Sequence, residues 1–253
     1  MNNNQKFNIL SAATPAEQSA RKSFFELFSG GVMPDDEKLN HLALFTRRQL
    51  LSRILYMNEL YQMILEVPGA VMEFGVRYGQ NMALFANLRG IYEPFNWGRE
   101  IVGFDTFEGF KSIDRKDGEA SIIQEGAYGV PAGYEQILTQ IMDYHESESP
   151  ISHIKKYQLI KGDAVVTAKQ YFEENPHTIV ALAYFDFDIY KPTYECLQII
   201  KNHVTKGSII AFDELEYKDF PGEPLALKEA LGFDKYALKR VPYNPLTSYL
   251  VVE

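Results

Sequence analysis

Two short runs hold the acidic groups best placed to do chemistry. Tyr184-Phe185-Asp186-Phe187-Asp188-Ile189-Tyr190-Lys191-Pro192-Thr193 follows the apolar stretch Ile179–Ala183, and Ile209-Ile210-Ala211-Phe212 runs into Asp213-Glu214. Two hydrophobic strands thus end in paired carboxylates. In an open parallel sheet, ligands bind beyond the carboxyl ends of the strands. Asp186 and Asp213 lie 27 positions apart, one strand-helix-strand unit, so both are expected at one sheet edge on adjacent strands. Acids gathered there repel one another, and a divalent cation is the simplest compensation. Asp186, Asp213 and Glu214 offer the hard oxygen ligands that Mg2+ prefers. If the backbone stays extended, Asp188 shares a face with Asp186 and serves as a ligand or a general base. The bland alternative is that some of these acids cap helices or pair with Lys or Arg.

Glu73-Phe74-Gly75-Val76-Arg77-Tyr78-Gly79 sits where a strand gives way to a helix. Its spacing, E-x-G-x-x-x-G, is not the dinucleotide fingerprint G-x-G-x-x-G. An acid before the first glycine disfavours a pyrophosphate and suits a cationic ligand, such as the sulfonium and amino group of S-adenosylmethionine. The alternative is a glycine turn with an incidental surface Glu. Asp105 ends the next strand, where an acid accepts hydrogen bonds from both ribose hydroxyls or simply makes a turn. Asp163, after a third strand, suits an adenine-edge contact or a turn equally. Tyr128, Tyr134, Tyr190 and Tyr217 are candidates for substrate contact, with core or rim packing as the alternative. Cys196 is expected to be buried and inert.

The elements that must position these groups show an alternating rhythm. Strands are predicted over residues 70–74, 101–104, 157–160, 178–185 and 208–212, with two more at 236–241 and 248–252, the last in doubt between parallel and antiparallel. Helices are predicted after 79, stopping at Gly90, then over 134–144, 192–202 and 223–231. Such alternation implies an α/β fold, a Rossmann-like and mostly parallel seven-stranded sheet with helices on both faces. Residues 106–156 are too long for a plain connection and read as a lid insertion. Asp36 to Glu66 reads as one uninterrupted helix, and residues 1–35 as polar and broken by Pro15, Gly30, Gly31 and Pro34. The domain reading is an N-terminal helical cap over 1–66 and a main domain over 67–253.

The bulk numbers fit a globular chain: 253 residues, 46% hydrophobic and 23% charged. A formal charge of −9 argues against nucleic acid or an anionic membrane as partner. One cysteine and five scattered histidines exclude an internal disulfide and a Cys/His metal cage. Nothing approaches the roughly 20 apolar residues of a membrane span, and Met1–Lys6 opens no signal peptide. The default expectation is a cytoplasmic protein.

Taken together, the motifs resemble the macrocin O-methyltransferase (TylF-like) family of class I, S-adenosylmethionine-dependent sugar O-methyltransferases. Val67-Pro68-Gly69 with Glu73-Phe74-Gly75-Val76 looks like its first motif. Phe104-Asp105-Thr106-Phe107-Glu108-Gly109 looks like its D-S/T-F-x-G motif, and the run from Asp186 to Thr193 like its D-x-D-x-Y-x-S/P-T signature. The resemblance spans about Val67 to Leu231. It implies that Glu73 and Gly75 hold the methionine end of the cofactor, that Asp105 with Thr106 and Phe107 binds the ribose side, and that Asp163 faces the adenine. It further implies Mg2+ on Asp186, Asp213 and Glu214, with Asp186 or Asp188 as the base. The chain departs from the family at Asp213-Glu214, where two aspartates are usual, and at Lys206-Gly207-Ser208, where Pro-Gly-Gly is usual. The implied acceptor is a hydroxyl of a sugar or glycosylated small molecule, in natural-product or surface-polysaccharide biosynthesis, and the implied assembly is a homodimer or higher homo-oligomer. The rivals are a catechol-type acceptor and a catalytically inactive nucleotide-binding protein of the same fold.

Overall fold

The strands of the computed structural model are β1 (Ala70–Phe74), β2 (Ile101–Asp105), β3 (Tyr157–Lys161), β4 (Val180–Phe185), β5 (Val204–Phe212), β6 (Lys239–Val241) and β7 (Asn244–Val251). They form one sheet in the order β3-β2-β1-β4-β5-β7-β6. The first five are parallel, while β7 runs antiparallel to both β5 and β6. The winding reverses between β1 and β4, the switch point at which open α/β sheets bind ligands. Every residue of β1 and β4 is buried, which explains the unbroken apolar run of β4 and an apolar β1 interrupted only by Glu73.

Residues 13–31 and 33–253 are described; residues 1–12 of the expected N-terminal cap, and Val32, lie outside them. The chain divides into two compact units, one ending at Arg53 and one from Ile54 to Glu253. The first holds α1 (Pro15–Ser29), α2 (Asp35–Asn40) and a 3-10 turn (Leu42–Phe45). α1 occupies a stretch expected to be broken. Thr14 accepts a hydrogen bond from the Glu17 N–H, and Glu17 reciprocates to the Thr14 N–H, a capping box with Pro15 at the first helical position. Phe24 and Phe28 pack on Phe45 within this unit.

The uninterrupted helix expected from Asp36 to Glu66 is absent. α2 ends at Asn40, and α3 (Arg48–Met63) begins after the 3-10 turn. No Gly or Pro causes the break. The Thr46 hydroxyl donates to the Leu42 carbonyl, which a continuing helix would offer to the Thr46 N–H, and that N–H turns to Ala43 instead.

In the second unit the alternation of side chains along the strands divides the core in two. Val71, Leu182, Tyr184 and Ala211 face Tyr56, Leu60, Met82, Phe85, Leu138 and Met142, from α3, α4 (Gln80–Tyr92) and α5 (Tyr134–Glu148). Met72, Phe74, Phe104, Phe185 and Phe212 face α6 (Ala164–Glu174), α7 (Tyr190–Ile200) and α8 (Gly222–Ala230). The expected stop of α4 at Gly90 is overridden. Arg89, fully buried, reaches the carbonyls of Arg99 and Lys156 and the Glu146 carboxylate, so the last turn is anchored through its side chain. Tertiary bonds of this kind outweigh the roughly 1 kcal/mol penalty of a helical glycine.

Candidate active site

A row of phenylalanines sets the level of the site. Phe104, Phe74, Phe185 and Phe212 stand in register on β2, β1, β4 and β5. Their rings stack at centroid spacings of 5.1, 4.7 and 5.5 Å. The next residues are Asp105, Gly75, Asp186 and Asp213. The ladder continues one step beyond each ring, with Gly75 N–H on the Phe104 carbonyl (3.0 Å), Asp186 N–H on Phe74 (2.8 Å) and Asp213 N–H on Phe185 (3.0 Å).

The β1–α4 turn is tight. Glu73 is buried at the end of β1 and accepts a hydrogen bond from the Asn81 amide at 2.8 Å. Gly75 has φ +98, and a Cβ there would sit 2.1 Å from the Asp186 carbonyl oxygen, so no other residue fits. Arg77 follows at φ +51. Its N–H donates to Asp105 Oδ2 at 2.7 Å, while the Phe107 N–H, at φ +60, donates to Oδ1 at 2.5 Å. Asp105 thereby ties the two loops together. Each carboxylate oxygen retains acceptor capacity beyond one bond, so this structural role leaves room for a ribose. The Thr106 hydroxyl bonds Glu108 N–H and the Gly109 carbonyl, and Phe107 is buried in the core. Asp163 caps α6 through the Val165 N–H at 3.0 Å, the turn role set beside the adenine contact.

At the β4 and β5 ends the acids converge. Asp188 has φ +62, so the backbone turns left-handed after Asp186 and the extended geometry expected for the pair does not hold. Non-glycine residues seldom adopt that region, and such strain clusters at functional sites. The Tyr184 hydroxyl donates to Asp213 Oδ1 at 2.5 Å. The Glu214 N–H donates to Glu223 Oε2 at 3.0 Å. Glu223 is fully buried; desolvation, with Asp188, Asp213 and Asp186 adding their fields, pushes its carboxyl well above the usual range. Tyr128 of the insertion closes this end from another side. Burial raises its phenol pKa, Asp188 and Glu214 add to the shift, and Arg77, stacked on its ring at 4.7 Å, opposes it. Phe110, Phe220 and Tyr217 extend Tyr128 into an aromatic wall.

The insertion is clasped to the same end. Asp117, fully buried, accepts the Tyr190 N–H at 2.5 Å and the Asp114 N–H at 2.6 Å. Lys116 pairs with Glu229, which also accepts the Tyr190 hydroxyl. Tyr190 is thus committed to the clasp, and Tyr134 donates to the Tyr78 carbonyl. Cys196 is buried, and burial pushes its thiol up, as expected.

Asp117, Glu223, Tyr184 and Arg77 were not singled out by sequence. Asp114-Arg115-Lys116-Asp117 carries a capping-box signal that could have flagged Asp117. Glu223 reads in sequence as an ordinary first-turn acid, and nothing there shows that it turns inward.

Among the described residues, no three His, Cys, Asp or Glu side chains form a ready-made metal cage. Mg2+ typically takes one or two carboxylates and keeps several waters, so crowded hard oxygens at two adjacent strand ends still fit it as a donor set. Among the described residues, no helix is long and apolar enough to cross a membrane.

No protein-family model matches the chain, and no curated protein sequence does. Solved structures do. The crystal structure of CalS11, a calicheamicin methyltransferase, shares 40% identity at a TM-score of 0.92, over 99% of this chain and 98% of that one. An apo structure of CalS11, described as a TDP-rhamnose 3′-O-methyltransferase of calicheamicin biosynthesis, shares 39% identity at 0.83, over 95% and 96%. The O-methyltransferase NovP shares only 16% identity at 0.56, over 79% of each chain, a likeness of fold alone.

Proposed function

The chain belongs to the macrocin O-methyltransferase (TylF-like) family, as an S-adenosylmethionine-dependent sugar O-methyltransferase, and on that premise we propose that its acceptor is a hydroxyl of a nucleotide-activated deoxysugar. CalS11, its 40% identical relative, is described as acting on TDP-rhamnose. The observation that carries this reading is the junction of Gly75 and Asp186. A Cβ on Gly75 would lie 2.1 Å from the Asp186 carbonyl oxygen, so the cofactor turn of β1 and the acid turn of β4 form one continuous floor. A donor on one and an acceptor on the other are held at adjacent strand ends, and alignment is most of what a displacement at carbon requires.

In this reading Glu73 and Gly75 hold the methionine end of the cofactor. Asp105, Thr106 and Phe107 shape the ribose side, and Asp163 borders the adenine. Bound S-adenosylmethionine supplies an electrophilic methyl group, and Mg2+ on Asp186, Asp213 and Glu214 would supply positive charge beside the acceptor hydroxyl. Asp188 takes the hydroxyl proton on its carboxylate. It is nearly buried, at 8% exposure, and its left-handed backbone aims it independently of Asp186. Tyr128 and its aromatic neighbours exclude water above the acids. The protein is read as cytoplasmic and as a homo-oligomer. Among the described residues, α1, α2 and the 3-10 turn bury none, and Phe25, Leu39 and Leu44 are 65%, 67% and 63% exposed. Apolar surface of that extent calls for cover.

The test is methyl transfer from labelled S-adenosylmethionine to TDP-rhamnose and to catechol, with and without Mg2+ and a chelator. Metal-stimulated transfer to the sugar is expected. Faster transfer to catechol would overturn the acceptor, and full activity in excess chelator would remove the metal.

A further inference from the structure

Asp117 and Glu223 come from different segments, the insertion and the first turn of α8, yet they meet at Gly222. A Cβ on Gly222 would lie 2.2 Å from Asp117 Oδ1 and 2.6 Å from the Tyr190 nitrogen, so the approach requires glycine there. Both carboxyls are fully buried, and each accepts a backbone N–H rather than the charge of a Lys or Arg. The N–H held by Asp117 belongs to Tyr190, two residues after Asp188. The N–H held by Glu223 belongs to Glu214, immediately after Asp213. The second oxygen of Glu223, Oε1, is buried without a hydrogen-bond partner among the described residues. A buried acceptor left in that state is a cost that a purely structural helix start would avoid by facing solvent.

We propose that Asp117 and Glu223 are positioning residues, a pair of buried carboxyls that fix the two acid-bearing turns, Asp186–Asp188 and Asp213–Glu214, relative to each other. The pair also makes the insertion part of the acceptor site, because Asp117 reaches it from the lid while its other oxygen holds Asp114 N–H at 2.6 Å. The role of these turns in catalysis rests on the methyl-transfer reading above; the positioning itself does not.

The two carboxyls differ in a way that separates them experimentally. Glu223 uses one oxygen, so Glu223→Gln keeps the acceptor at the same reach. Asp117 uses both, so Asp117→Asn sets an amide N–H against the Asp114 N–H. Hydrogen–deuterium exchange of the full-length protein is expected to speed up over residues 213–217 in Glu223→Ala and over 188–192 in Asp117→Ala. Glu223→Gln should stay close to wild type, and Asp117→Asn should be intermediate. With TDP-rhamnose as acceptor, kcat falls about 10- to 100-fold in the alanine variants, the scale of an ångström of misplacement. Calorimetric affinity for S-adenosylhomocysteine, held at β1, stays unchanged. Unchanged exchange in the alanine variants would overturn the proposal, as would cofactor affinity lost in step with kcat. If the alanine variants fail to fold, the Gln and Asn variants decide, and equal impairment in both would overturn it. A wild type that binds cofactor but leaves TDP-rhamnose untouched would refute the acceptor, while the exchange data still judge the clasp.

Discussion

Phe185 and Phe212 face each other in register at the ends of β4 and β5, their rings 5.5 Å apart and 20° from parallel, and each is followed by an aspartate. Stacking at this spacing adds about 0.5–1.5 kcal/mol beyond burial. Its larger consequence is geometric. The rings lock the register of two parallel strands, and register decides whether Asp186 and Asp213 emerge at one level or a residue apart.

Replacing Phe185 with Ala removes contacts with Phe74 and Phe212 together. The expected loss is about 3–5 kcal/mol of stability, the range for truncating a buried Phe. Urea denaturation followed by far-UV circular dichroism measures it. Phe185→Leu keeps more of the apolar volume than alanine does and should lose less stability, so a leucine variant as unstable as the alanine one would argue against packing as the cause.

Gly75→Ala is expected to harm both halves of the site. The new Cβ meets the Asp186 carbonyl, and φ +98 is strained for any side chain. Alanine at a positive-φ position destabilises by more than the roughly 0.4–1 kcal/mol it otherwise brings. Weaker S-adenosylhomocysteine binding in calorimetry, with a lower melting temperature, is the expected outcome. Wild-type affinity would show that β1 and β4 are not coupled there.

The alternation of apolar runs and turns made a mostly parallel sheet legible, though not its strand order, because strands buried on both faces are rich in Val, Ile, Leu and Phe. The strand-end positions of Glu73, Asp105, Asp186 and Asp213 were legible for the same reason: each sits within a residue of a strand's end. What sequence could not give was direction. Asp188 turns left-handed instead of continuing the strand, and Asp105 spends a bond from each oxygen on a neighbouring loop. Glu223 looks like a solvated first-turn acid until the fold turns it inward. Thr14-Pro15-Ala16-Glu17 was readable as a helix start, and its neighbours' polarity obscured it.

A buried ion pair beside α4 supplies the pH prediction. Arg99 and Glu93 pair through two hydrogen bonds, at 2.9 and 3.1 Å, and Tyr61 and Asn96 add their own. Burial alone would raise the Glu93 pKa, but the bonds from Arg99, Tyr61 and Asn96 outweigh it and hold the group below its ordinary value. A depressed folded pKa means the unfolded chain binds the proton more readily. The stability from this pair is therefore present above the unfolded pKa of about 4.5 and lost as pH falls through the folded one. Glu93→Gln keeps an acceptor for Arg99 but removes its anion, and should destabilise by about 1–3 kcal/mol at pH 7. Denaturation from pH 7 to pH 3 should show that gap shrinking on the acid side. A constant gap would mean that packing, not charge, is what Glu93 contributes.

Asp213→Asn separates charge from shape at the acid cluster. The amide keeps an oxygen to accept the Tyr184 hydroxyl, now 2.5 Å from Oδ1, so the fold around β5 should survive. What it removes is one negative charge beside Asp186, Asp188 and Glu214. If those charges hold Mg2+ at the acceptor hydroxyl, turnover drops by about 10²-fold or more, the usual loss when one oriented electrostatic group is deleted. The Mg2+ concentration for half-maximal activity rises with it. Cofactor affinity should not follow, because the turn at Glu73 and Gly75 carries it. Steady-state kinetics across a Mg2+ titration, paired with S-adenosylhomocysteine calorimetry, distinguishes the cases. A variant that loses cofactor binding in proportion to rate would place Asp213 in the donor half, and one with unchanged Mg2+ response would show that it is no ligand.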